Sequence, residues 1–92
     1  MENLQAVIDR HMEAAQTTWA DDKDMQIMKF EDAADAFAIK AFIEGGMIEK
    51  AAERFAKLDT LPREVIWVAL ERDKGREWAE TIEAISSSFN GV

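Results

Sequence analysis

The sequence predicts an all-α fold, a compact bundle of four to five short helices forming a single domain over 1–92. Three observations predict it. Punctuation is sparse, with one proline at position 62 and glycines only at 45, 46, 75 and 91, which suits a few helices joined by short turns. Apolar residues recur at helical spacing along most of the chain. Ninety-two residues with 48% hydrophobic content fill one small domain.

The first helix is expected over 3–20, with Asn3 as N-cap. Leu4, Val7, Ile8, His11, Met12, Ala15 and Trp19 share one face, and Asp9, Arg10, Glu13, Gln16 and Thr17 lie opposite. Asp21-Asp22-Lys23-Asp24 then breaks it, being charged throughout and mostly poor helix formers. Residues 25–29 read as a loop, because the alternation of Met25, Ile27 and Lys29 suits a short strand that would find no ladder partner. The second helix follows over 30–44. Phe30, Ala33, Ala34, Phe37 and Ala41 form its main stripe, while Ala36, Ile39, Phe42 and Ile43 make its later half apolar nearly all round. Gly45-Gly46 supplies the stop.

The third helix, 47–58, shows Ile48, Ala51, Ala52 and Phe55 at steps of three and four, with Glu49, Lys50, Glu53, Arg54 and Lys57 facing water. Thr60 then reads as an N-cap and Pro62 falls in the first turn, where a missing N–H costs nothing. The fourth helix is expected over 61–73. Its run Val65-Ile66-Trp67-Val68 is rich in strand formers, so a buried strand over 64–71 is the alternative. Gly75 stops it after Arg72 and Lys74, whose charges suit a helix C-terminus. The fifth helix, 76–88, carries Trp78, Ile82, Ile85 and Phe89 as a stripe, with Ser86-Ser87-Ser88 and Asn90-Gly91 expected to fray.

Composition excludes several chemistries. Eleven Lys and Arg against nineteen Asp and Glu give a net charge of −8, the wrong sign for holding nucleic acid by its phosphates. There is no cysteine, hence no disulfide, thiolate nucleophile or thiolate-ligated zinc. The longest apolar run is 65–70, against about 20 residues needed to span a bilayer. Met1-Glu2-Asn3-Leu4 lacks the basic and apolar segments of a signal peptide, so a soluble cytoplasmic protein is expected, with no membrane partner.

No catalytic or metal-binding motif is complete in the sequence. His11 is the only histidine and sits on an apolar helix face, where the expected setting is apolar, with a bond to a backbone group or a carboxylate and no relay. Neither a nucleophile elbow, a phosphate-binding glycine loop nor an H-E-x-x-H helix is present. A di-iron Glu-x-x-His pair fails because Ile8 stands three residues before His11. A calcium loop begun at Asp22 fails with Ile27 at its sixth position and Ala33 at its twelfth, and one begun at Asp21 fails with Lys23 at its third. No cofactor or metal is implied.

What distinguishes the chain is acid. The first 46 residues hold 10 acids against 4 bases, the rest 9 against 7. Asp21, Asp22, Asp24, Glu31, Asp32 and Asp35 cluster, relieved only by Lys23 and Lys29. A solvated face that keeps the protein soluble is the simpler explanation of such a cluster. The functional expectation is a non-enzymatic protein-binding module, an interaction or regulatory protein. Its acids steer it to a basic surface of another protein, including one that normally holds nucleic acid, and apolar residues near Phe42, Ile43 and Trp67 supply affinity. In charge and size alone it is similar to small acidic proteins of mobile elements that block host nucleases, of the anti-CRISPR or anti-restriction kind, and it shares no motif with them. Because the second and fourth helices have apolar residues on more than one side, the extra faces suggest a homodimer or a partner interface, the other reading being that both helices are simply buried. The alternative is a helix-turn-helix-like DNA-binding regulator built on the third and fourth helices, with Ala52 at the crossing and Val65 and Val68 as anchors. Only Arg63, beside Glu64, offers a cation at its leading end.

Overall fold

Every helix of the chain has one side that sheds water, and five such sides meet around one core. The computed structural model describes residues 1–90, the side chain of Asn90 excepted. The helices are α1 (Glu2–Gln16), α2 (Lys23–Glu44), α3 (Ile48–Ala56), α4 (Thr60–Lys74) and α5 (Arg76–Asn90), and the described residues contain no strand. The all-α fold is thus as the sequence predicts. Neighbours run in a closed ring: α2 packs against α1 and α3, α5 against α3 and α4, and α4 returns to α1. Inside the ring lie Leu4 and Val7, Ala36 and Ile39, Phe55, Ile66 and Leu70, and Ile82, all fully or almost fully buried. No helix occupies the centre, so the apolar breadth of α2 and α4 has another cause.

Several boundaries differ from the sequence expectation, each for a local reason. α1 stops at Gln16 instead of running to 20, because the β-branched pair Thr17-Thr18 weakens the helix and Thr17 turns its hydroxyl onto the Glu13 carbonyl at 2.8 Å. Trp19 sits half-buried in the turn that follows. The acidic stretch is not simply a breaker. Asp22 is the N-cap of α2, its side chain accepting from the Met25 N–H at 3.2 Å, and Asp24 lies in the first turn, where a negative charge suits the helix dipole. Residues 25–29 are therefore helix, not loop, and α2 has 22 residues. Its core side is Ala33, Ala36, Ile39 and Ile43, while Ala34, Phe37 and Ala41 of the expected stripe face outward.

The stop after α2 is a Schellman motif. Gly46 adopts φ +75°, Gly46 N–H donates to the Ile43 carbonyl at 3.1 Å, and Met47 N–H donates to Phe42 at 2.7 Å. α3 spans one residue less at its start and two less at its end than expected. α4 is helical throughout, so the strand alternative over 64–71 is not realised, and its N-cap is Asp59, not Thr60. A single residue, Gly75 at φ +96°, separates α4 from α5. Ser86, Ser87 and Ser88 continue α5, their hydroxyls bonding back to the Glu83 and Ile85 carbonyls, and the fraying expected at Gly91 lies outside the described residues.

The start of α1 is capped from across the ring. Asn3 lies inside the first turn and is not the cap. Asp73, in the last turn of α4, accepts from the backbone N–H of Asn3 at 2.8 Å, from its side-chain amide at 2.8 Å, and from the Leu4 N–H at 2.7 Å. A carboxylate there opposes the dipole of its own helix and complements that of α1. Burial pushes the Asp73 carboxyl up, but the Asn3 and Leu4 hydrogen bonds and the Met1 ammonium outweigh it and hold the group below its ordinary value.

Candidate interaction surface

The six acids of the sequence cluster do not act as a unit. Three of them maintain the fold. Asp22 caps α2, Asp35 binds the Arg54 guanidinium at 2.8 Å and ties α2 to α3, and Asp32 stands 3.9 Å from the His11 ring. The remaining three, Asp21, Asp24 and Glu31, are exposed and have no hydrogen-bond or ion-pair partner among the described residues. Asp24 and Glu31 are seven residues apart, two helical turns, so they line one edge of α2 with Met28 between them, and Asp21 precedes that edge in the turn. Met28 is 53% exposed, which gives the edge an apolar centre.

The expected apolar anchors are placed differently. Ile43 is buried in the core and is not available to a partner. Phe42 is half-buried, packs against the core, and borders a groove of about 310 Å³ shared with Lys50, Glu53 and Arg54. Trp67 is also half-buried, in a groove of about 510 Å³ between α4 and α5, and its buried indole N–H makes no hydrogen bond within the described chain. Larger exposed apolar groups stand on α2 itself, where Ile27 and Phe37 are 53% and 61% exposed. Sequence reasoning missed them because Ile27 was placed in a loop and Phe37 in the core. The signal was present: once 25–29 counts as helix, residues 27, 30, 34, 37 and 41 fall at alternating steps of three and four.

His11 makes the expected bond to a backbone group, but its setting is not the apolar one expected. Its Nδ1 lies 2.8 Å from the Val7 carbonyl, which accepts its proton, and its Nε2 faces the Asp32 carboxylate at 3.9 Å. The ring borders a small groove with Arg10, Ala14, Lys29 and Val65. The arrangement joins α1 to α2.

The guanidinium of Arg63 donates to the Ala56 and Leu58 carbonyls at 3.3 and 2.9 Å and lies 5.8 Å from the centre of the Phe55 ring, so it closes the end of α3. The exposed leading half of α4 then presents Thr60, Leu61, Glu64 and Val68. α3 and α4 each pack on α5 and do not lie closely against each other.

A groove of about 660 Å³ between α1 and α4 is open and lined by alanines and valines together with Asn3, Arg10, Glu64 and Arg72. No three carboxylates or imidazoles gather closely enough to hold a metal ion among the described residues. No helix among them is long and apolar enough to cross a membrane. Comparison with known proteins finds no matching family model, no similar curated protein and no similar solved structure.

Proposed function

We propose that this chain is a non-enzymatic protein-binding module that docks on a basic surface of another protein through the acidic edge of α2. The observation that carries the reading is the division of labour among the acids. Asp22, Asp32 and Asp35 serve the fold, whereas Asp21, Asp24 and Glu31 stand exposed and unpaired around a half-exposed Met28. Charges at the rim of a contact set encounter rate and choice of partner, and a desolvated apolar group at its centre adds affinity. A basic groove that normally holds nucleic acid is the class of surface such an edge fits, and occupying it would make the module an inhibitor.

Affinity capture from the source cell tests this, with the wild type compared against a triple variant carrying Asp21→Lys, Asp24→Lys and Glu31→Lys. A protein with a basic surface should be recovered by the wild type only, and its purified complex should weaken steeply as salt rises. Recovery of the same proteins by both forms, or an affinity indifferent to salt, sinks the reading.

A further inference from the structure

α2 has two apolar faces, and the core uses one. On the other, Ile27, Phe30, Ala34, Phe37 and Ala41 follow the three–four alternation of a two-helix seam. Phe30 is half-buried; the other four are exposed. We propose that this seam is covered by the same seam of a second copy of the chain, with the two α2 helices antiparallel.

Size complementarity sets the direction and the register. If Ala34 lies opposite the partner's Phe37, then Phe30 lies opposite the partner's Ala41, and symmetry repeats both pairs. Every phenylalanine thus enters the space above an alanine. A parallel pair sets Phe30 against Phe30 and Phe37 against Phe37, with voids where alanines face one another. Charge makes the same choice. One end of the seam carries Lys23 and the other Glu44, both exposed, with Glu44 also held by Lys40 of its own helix at 3.2 Å. Antiparallel packing in this register sets Glu44 level with the partner's Ile27, one turn from the partner's Lys23, whereas parallel packing opposes like charges at both ends.

The flanks agree with this arrangement. Asp24 and Glu31 lie on one side of the seam, and in an antiparallel pair that side faces the same way in both copies. Glu31 then neighbours the partner's Ala38 and no carboxylate. The acidic edges of two chains lie along one side of the dimer and remain open, so the dimer and the docking reading above can each fail alone.

The extent of the seam sets the strength. From residue 27 to 41 it runs about 21 Å, which at a helix width of about 10 Å covers a few hundred Å² per copy. Stable complexes bury about 800 Å² per partner, so this dimer should dissociate on dilution.

The test is sedimentation equilibrium of the purified chain from about 1 to about 500 μM. Twice the monomer mass is expected at the upper end, reversing on dilution. Phe37→Glu, and separately Ala34→Phe, which fills the receiving space, should each weaken association at least tenfold with unchanged circular dichroism. Orientation is read with Ile27→Cys and Ala41→Cys, since the chain has no cysteine of its own. A short bismaleimide should join the two variants when mixed and neither to itself. A monomer throughout the range, a dimer indifferent to both seam variants, or cross-linking of each variant to itself overturns the proposal.

Discussion

Replacing Asp73 with alanine should remove about 1 kcal/mol from the stability of the folded chain. The carboxylate accepts three hydrogen bonds, all from Asn3 and Leu4, and among the described residues it is the only side-chain cap that α1 receives. Loss of an N-cap costs about 0.5–2 kcal/mol, and loss of a charge at a helix N-terminus a further 0.3–1 or so. A gain of similar size comes from relieving α4 of an acid in its last turn, and the half-exposed N–H groups can turn to water. These terms leave about 1 kcal/mol, against a total of roughly 5–14 for a chain of this length. The midpoint of thermal unfolding should fall by about 4–8 °C.

The pH dependence carries a definite sign. Because the folded carboxyl titrates below its ordinary value, its contribution is complete above the unfolded value of about 4 and is lost as pH falls through the lower folded value. Urea unfolding of wild type and Asp73→Ala, followed by circular dichroism at several pH values, reads both quantities. The difference between the two proteins should be full near neutrality and shrink toward acid. A difference under about 0.5 kcal/mol, or one unchanged at low pH, would refute the cross-ring cap.

Three further outcomes follow from the same structure. Phe55→Ala, at the fully buried centre of the core, should cost about 3–5 kcal/mol, while Phe37→Ala on the outer face of α2 should shift monomer stability by less than about 0.5; chemical denaturation at low concentration compares them. Gly75→Ala should cost about 1–2 kcal/mol through backbone strain at φ +96° alone, since nothing crowds the added Cβ; differential scanning calorimetry checks it. Asp22→Ala should cost about 1 kcal/mol and speed amide hydrogen exchange over 23–29 while leaving α4 and α5 unchanged.

Much of the fold was legible in the chain. The Gly45-Gly46 and Gly75 stops, the apolar face of α3 and the placement of Pro62 in a first turn are local signals, and local signals decide helix ends. What was not legible depends on distant or double-valued residues. Aspartate serves a breaker and an N-cap equally well, so Asp22 marked a boundary without showing on which side the helix lay. α2 has apolar residues on two faces, and only α1 and α3 decide that Ile39 and Ile43 turn inward and Phe37 outward. Asp73 carries no local sign of its role, because its partners lie 69 and 70 residues away. The candidate surface was half legible for a related reason. Composition located the acids but could not separate those bound to Arg54 and His11 from those left in water.

The cross-ring cap also bears on how the chain is made. A ribosome releases the polypeptide from its N-terminus, and α1 leaves the exit tunnel long before the carboxylate that secures its first turn has been synthesised. Until then the opening helix has α2 to lean on and nothing at its tip. Closure of the ring is therefore a late event on the growing chain, and a stall before residue 73 would leave the apolar side of α1 open to whatever chaperone or aggregate meets it first.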